Sequence, residues 1–318
     1  MPVRLLIHPA ALIALALSFL TALAALAPAR ATPAPLAAAL AATLVVESAE
    51  DDGRFLGSAF VWGAEGLALT AAHVTGGAAA VRVVWPDGRA AVVPVIAADP
   101  VRDIAVLDLG APVPGLEVGP PPVAGQAVWA LGAPLGAAGT VTAGIVSALA
   151  RQVEPAVPVR FVQHDAAVNP GSSGGPLVDA AGRLVGMNTR IADGSRLFVG
   201  IAYAIPAADL DRLVPALIDG TLPPVPRLGM QARAVTRRIA AALGAAGGVL
   251  VDHVEPGGMA DRAGLRAGDV IEAAGGAAVD GPGALAFALD AAGAGLGGAR
   301  AGRRAGAAVA LWLAFDAP

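Results

Sequence analysis

Ser173 lies in Asn169-Pro170-Gly171-Ser172-Ser173-Gly174-Gly175-Pro176-Leu177, a serine set among glycines and closed by a proline. Small neighbours of this kind expose a hydroxyl on a tight turn and let a carbonyl group approach. They also leave backbone N–H groups free to face charge that develops there. A neutral hydroxyl is a weak nucleophile, so it needs a base, and the base needs an orienting group. Two residues earlier in the chain have suitable surroundings. His73 follows the run Leu67–Thr70 at the start of a small-residue turn, and Asp103 immediately precedes the apolar Ile104-Ala105-Val106-Leu107, where it can be buried against a core. Taken singly, each has an ordinary structural reading. Taken in order, histidine, aspartate and serine make a base, an orienting group and a nucleophile.

The segments around them are β-like. Short apolar runs separated by Gly- and Pro-containing turns predict strands at 43–46, 58–62, 67–70, 81–85, 91–96 and 104–107. A second set is predicted at 127–131, 141–146, 159–163, 177–178, 184–188 and 201–205. Many short strands at this spacing indicate barrels or sandwiches rather than βαβ units. The set divides near the Pro-rich stretch 112–122, which places His73 and Asp103 on one barrel and Ser173 on the other. Leucines at 210, 213 and 217 mark one face of a helix over 207–218, and residues 32–42 read as a loose leader or a short helix. Gly220–Pro226 reads as an extended linker to a smaller unit, 227–318, with strands expected at 248–254, 269–272 and 308–315 and a helix at 283–291. The Gly/Ala/Arg-rich stretch 292–306 shows no period.

Composition narrows the function classes. The chain has 318 residues, 56% of them apolar, and all 21 basic residues are arginine. Net charge is −4, with no basic run interleaved with aromatics, which argues against nucleic-acid binding. With no cysteine and four unclustered histidines, thiolate chemistry and a histidine metal site are not expected. Arg4, the apolar run 10–27 and the small residues around Ala27–Ala31 read as a secretory signal peptide or a membrane anchor over residues 1–31. Either reading sends the remainder out of the cytoplasm.

The chain resembles the HtrA/Deg family of trypsin-like serine proteases. The resemblance rests on Gly57-Ser58-Ala59-Phe60-Val61, Leu69–Val74, Asp103–Leu107, Gly144–Leu149 and above all Gln163–Leu177. His73, Asp103, Ser173 is also the order of the chymotrypsin-type triad. The family carries asparagine where Ser172 stands and threonine where His164 stands. The resemblance implies a mostly β, chymotrypsin-like double-barrel protease domain over 32–219, followed by a smaller α+β PDZ domain. In it Ser173 attacks, His73 is the base, Asp103 orients it, and the N–H groups of Gly171 and Ser173 form an oxyanion hole. No cofactor or metal is implied. Asp165 and Asn169 either brace the oxyanion loop or cap turns, and His164 lies neutral beside the specificity pocket. The pocket is expected from Val199–Ile205 and the loop before Ser173, and the absence of acidic residues in 199–205 favours small or medium aliphatic side chains over basic ones.

For the second unit, Arg227-Leu228-Gly229-Met230, Gly248–Val251 and Pro256–Ile271 resemble a PDZ domain. Leu228, Gly229 and Met230 match its carboxylate-binding loop, and Arg151 matches a residue that couples peptide occupancy to the protease site. Gly275-Gly276 and the final strands depart from the family pattern. The resemblance implies an extracytoplasmic, homotrimeric endopeptidase of protein quality control acting on unfolded or mislocalised polypeptides, with C-terminal peptides as PDZ ligands. Two other readings remain: a catalytically silent peptide binder, and a regulatory sheddase associated with the membrane through residues 10–27.

Overall fold

The computed structural model describes residues 32–50, 54–151, 153, 160–191, 198–222, 228–274, 276–292, 299–304 and 307–308. The expected signal or anchor segment lies outside them. Among the described residues no helix is long and apolar enough to cross a membrane.

After a short helix α1 (Ala34–Ala41) come two closed six-stranded barrels. The first contains β1 (Thr43–Ser48), β2 (Phe55–Trp62), β3 (Leu67–Thr70), β4 (Ala80–Val84), β5 (Ala90–Asp99) and β6 (Ile104–Asp108), ordered β1-β2-β3-β6-β5-β4. A one-turn helix α2 (Ala72–Thr75) leaves β3. The second barrel contains β7 (Ala127–Gly132), β8 (Thr140–Arg151), β9 (Phe161–His164), β10 (Pro176–Val178), β11 (Leu184–Ile191) and β12 (Ala202–Pro206), ordered β10-β11-β12-β9-β8-β7. Closure gives every strand two partners, which is how such short strands avoid exposed edges. Phe60, Leu69, Ile104 and Leu107 fill the first barrel, while Val128, Val146, Val162 and Leu177 pack in the second, all buried.

The Pro-rich connection ties the barrels together. Leu116 bridges to Trp62 on the first barrel and Val118 to Leu184 on the second. Helix α3 (Ala207–Ile218) turns Leu210, Leu213 and Val214 into the main core. Arg160, ahead of β9, clamps Asp209 of this helix through two bonds of 3.0 and 2.9 Å. The first residues of the expected linker are tied to α3. The N–H groups of Thr221 and Leu222 both donate to Ala216 O at 2.9 Å, and Leu222 packs on the core.

The C-terminal unit is a six-stranded sheet, ordered β13-β14-β15-β17-β18 with β16 paired to β15. Its elements are β13 (Met230–Ala234), α4 (Arg237–Leu243), β14 (Val249–Val254), α5 (Met259–Arg262), β15 (Val270–Ala274), β16 (Ala277–Ala278), α6 (Pro282–Ala292), β17 (Ala299–Arg304) and β18 (Ala307–Ala308). Val249, Val251, Leu265, Ile271, Leu285 and Leu289 form its core. Strand β17 falls in the stretch that shows no sequence period. An ion pair to a buried carboxylate marks its place instead: Arg304 reaches Asp269 through Nε and a terminal nitrogen, each at 2.7 Å. The strand expected at 308–315 starts at Ala307, and its remainder lies outside the described residues.

Leu210 is fully buried in α3. Leu210→Ala is expected to cost about 2–5 kcal/mol, from lost burial plus the cavity left behind. Urea unfolding followed by circular dichroism measures this.

Candidate active site

Asp103 sits between a locked turn and β6. Asp99 Oδ1 accepts from the N–H groups of Val101 and Arg102 at 2.9 and 3.0 Å, and Arg102 returns a side-chain bond to Asp99 Oδ2 at 2.7 Å. This turn delivers Asp103 in the left-handed region, φ 60°, a strain that aspartate tolerates better than most residues. The side chain is buried and takes three donors. His73 Nδ1 lies 3.0 Å from Oδ1 and 2.9 Å from Oδ2, and the His73 backbone N–H donates to Oδ1 at 3.0 Å. The Thr189 hydroxyl of β11 donates to Oδ2. Helix α2 has no side-chain cap of its own, because Ala71 stands at its N-cap. The Asp103 carboxylate supplies the missing acceptor, so one group both fixes the helix and orients the ring it carries. Burial alone would raise the Asp103 pKa. The His73 ring and N–H and the Thr189 hydroxyl outweigh it and hold the carboxyl below its ordinary value.

Ser173 of the second barrel and His73 of the first both line one cleft of about 330 Å³. The Ser173 hydroxyl donates to Thr189 O at 3.2 Å, and among the described residues it makes no hydrogen bond to His73. Catalytic hydrogen bonds are often long or misaligned before substrate arrives. Thr189 thus touches both partners, its hydroxyl on Asp103 and its carbonyl on Ser173.

The backbone around Ser173 is tied through its carbonyls. Asn169 O accepts from Ser172 N at 2.9 Å, Pro170 O from Leu135 N at 2.7 Å, and Gly171 O from Ser58 Oγ at 2.6 Å. Ser172 O accepts from Gly175 N at 3.0 Å and Ser173 O from Ser58 N at 2.9 Å. The N–H groups of Gly171 and Ser173 make no hydrogen bond among the described residues. A trans peptide points its C=O and N–H in opposite directions. Anchoring Pro170 O on Leu135 therefore turns the Gly171 N–H away from that strand end. Gly171 has φ 102°, and a Cβ there would lie 2.5 Å from Ala133 O and 2.6 Å from the Phe55 ring, so only glycine fits. At Gly174, φ 81°, a Cβ would lie 2.1 Å from Ser58 O.

Other expected residues sort differently. Asp165 Oδ1 accepts from Ile145 N at 2.6 Å, so Asp165 pins β8 and does not brace the oxyanion loop. Asn169 holds the loop through its backbone, donating to Ser172 Oγ at 3.2 Å, and its side chain lines the cleft. The cleft wall comes from Asn188–Ile191 of β11, with Val168, Leu56 and the loop Asn169–Ser173, and not from 199–205. Ala202 and Ala204 point into the barrel, and Val199 is exposed. Val168, Leu56 and Ile191 still make an apolar surface. Among the described lining residues Arg190 brings the permanent charge, and no carboxylate is present.

His164 is fully buried between β8 and β12, beside the cleft residue Asn188. Neither of its ring nitrogens nor Asn188 Oδ1 has a partner in good hydrogen-bond geometry. Burial pushes the His164 pKa down from 6.5 to about 4, against smaller opposing effects of Asn188 and the Asp165 charge. The ring is neutral at pH 7. Arg151 is exposed and bonds Gln163 Oε1 at 3.1 Å within its own barrel, and α6 lies against β8, the strand that ends at Arg151. In the C-terminal unit, Leu228 O and Gly229 O accept from Ala260 N and Glu255 N at 2.8 Å. Their own N–H groups are unpaired among the described residues, and Gly229 has φ 65°. No group of metal-binding side chains occurs among the described residues.

Comparison with known proteins agrees with this architecture. Residues 57–187 match the trypsin-like peptidase domain and residues 250–295 a PDZ domain. A Brucella suis biovar 1 (strain 1330) protein named "Probable periplasmic serine endoprotease DegP-like" is 40% identical over 241 residues, 72% of this chain and 46% of that protein. A protein of the same name from Halomonas elongata is 37% identical over 243 residues, 74% of this chain and 51% of that one. The chain thus spans about half the length of these curated relatives. Among solved structures, "HtrA-type protease AlgW with tripeptide" aligns with a TM-score of 0.72 at 32% identity, covering 88% of this chain and 95% of that one. The chain belongs to the HtrA family of trypsin-like serine proteases, with a C-terminal PDZ domain.

His164 carries a pH prediction. Its folded pKa is depressed, so the unfolded chain binds the extra proton between pH 6.5 and about 4. Stability is complete above pH 6.5, falls as pH drops through that window, and levels off below it. The loss amounts to about 3 kcal/mol. His164→Thr is expected to flatten this part of the stability–pH curve, read by urea midpoints at pH 7, 5.5 and 4.5.

Proposed function

We propose that the protein is a serine endopeptidase in which Ser173 is the nucleophile, His73 the general base and Asp103 the orienting carboxylate. The observation that carries this is the Asp103 carboxylate within 2.9 Å of His73 Nδ1, in a cleft where the Ser173 hydroxyl and two unpaired N–H groups converge. Asp103 keeps the Nδ1 proton in place, so Nε2 is the ring nitrogen left to take the Ser173 proton. Ser173 Oγ then bonds to the scissile carbonyl carbon, and the oxygen that becomes negative is met by the N–H groups of Gly171 and Ser173. The imidazolium returns its proton to the leaving amine. The acyl-enzyme is then hydrolysed by water along the same proton path. Each oxyanion donor of this type contributes about 3–4 kcal/mol.

In the same reading residues 32–219 form the protease domain and 227–318 the PDZ domain, joined through 220–226. The unpaired N–H groups at Leu228 and Gly229 suit a peptide carboxylate, with the peptide adding as a strand. The AlgW structures, described with a tripeptide and a decapeptide, support a peptide ligand. Residues 1–31 would direct export, consistent with relatives named as periplasmic. Unfolded or mislocalised polypeptides would be the substrates, a homotrimer the assembly, and Arg151 the link between peptide occupancy and the cleft. The packing of α6 against β8 supports that last role.

Ser173→Ala is expected to abolish casein cleavage with an unchanged circular dichroism spectrum. Asp103→Asn is expected to lower kcat by about four orders of magnitude through the wrong histidine tautomer. Cleavage retained by Ser173→Ala would refute the assignment.

A further inference from the structure

We infer that Ser58 is a positioning residue for the reaction, its hydroxyl holding the Gly171–Ser172 peptide that lies between the two peptides carrying the oxyanion donors. The inference rests on the proposed role of Ser173 and extends it to a side chain on the other barrel that never meets substrate. Ser58 is fully buried in β2 and does not line the cleft. Its hydroxyl donates to Gly171 O at 2.6 Å and accepts from Ala133 N at 2.9 Å. Its backbone N–H donates to Ser173 O at 2.9 Å, and its carbonyl accepts from Thr70 Oγ1 at 2.7 Å. One residue of the first barrel therefore grips the nucleophile loop at Gly171 and at Ser173, and grips the end of β7 as well.

The grip matters because of what Gly171 is free to do. With φ 102° and no side chain, its two peptides can rotate with little steric resistance. Two carbonyl bonds oppose this, Pro170 O on Leu135 N and Gly171 O on Ser58 Oγ. The first sets the plane that carries the Gly171 N–H. The second sets the next plane, which carries the Ser172 N–H and leads directly into Ser173. The Leu135 anchor is the weaker support: Leu135 is 77% exposed, in a short turn at φ 54°. The Ser58 anchor is enclosed, and its spacing is tight. A Cβ at Gly132 would lie 2.8 Å from Ser58 Oγ, and one at Gly175 would lie 3.3 Å from Ser58 Cβ. A buried hydroxyl with both an acceptor and a donor partner cannot be removed without stranding Gly171 O and Ala133 N.

The test compares wild type with Ser58→Ala, using a chromogenic peptide for kcat and KM. The Ser173→Ala background gives the affinity for uncleaved peptide, and a peptide boronate serves as a tetrahedral mimic. Rates are normalised to the folded fraction. Wild type is expected to turn over. Ser58→Ala is expected to lose about ten- to a hundredfold in kcat and a similar factor in boronate affinity. KM, uncleaved-peptide affinity and the acid limb of the kcat/KM profile should stay at wild-type values, because His73 and Asp103 are untouched. If Ser58→Ala does not fold, Gly132→Ala, whose methyl would press on the hydroxyl, is read for the same signature. Lower stability with kcat per folded molecule unchanged would overturn the inference and leave Ser58 as packing between barrels. A wild-type protein that neither cleaves peptide nor binds boronate would refute the Ser173 reading itself.

Discussion

The structure depends on how the carbonyls of the loop Asn169–Ser173 are satisfied. Five consecutive carbonyls, from Asn169 to Ser173, each accept a hydrogen bond. Backbone polar groups that are buried must find partners, so this accounting is obligatory. The result is asymmetric. With the carbonyls spoken for, the Gly171 and Ser173 N–H groups are left without partners among the described residues. A loop that satisfied those N–H groups internally would be more comfortable and chemically inert. The donors that prevent this come from strand β2, from the turn after β7 and from the loop itself. Both barrels must therefore close before the loop can hold its shape.

A second set of bonds crosses the same junction. Asp103 belongs to the first barrel, yet it accepts from Thr189 on the second as well as from His73 on its own. Thr189 also receives the Ser173 hydroxyl on its carbonyl. Asp103, with the His73 ring it holds, and Ser173 are thus registered against a single residue of β11. The depressed Asp103 pKa keeps that carboxylate ionised throughout the range in which an imidazole can act as a base.

Much of the barrel architecture was legible because small apolar runs alternate with Gly and Pro turns. All twelve barrel strands lie within a few residues of their expected positions, and α3 has the expected bounds. The C-terminal unit was less so. Alanine and glycine dominate it, which removes the contrast between buried and exposed positions. β13 and α4 gave no clear signal, and β17 is fixed by the Arg304–Asp269 pair, which leaves no periodic trace. At the site, motif and chain order pointed to Ser173, His73 and Asp103. Thr189, Ser58 and Leu135 were invisible because they act through a common hydroxyl or a backbone group. The expected pocket wall at 199–205 failed for a simpler reason: alternation along β12 turns Ala202 and Ala204 into the barrel, and the cleft is walled by β11 instead.

The central claim is that the cleft activates one hydroxyl among two adjacent serines. The most direct measurement is labelling of the purified protein with a fluorophosphonate probe in the presence of unfolded substrate, followed by mass-spectrometric mapping of the adduct. The account predicts a single phosphonylated residue, Ser173, with Ser172 unmodified because it is 5% exposed and its hydroxyl accepts from Asn169 N. Labelling at Ser172, or no adduct on either serine, would contradict it.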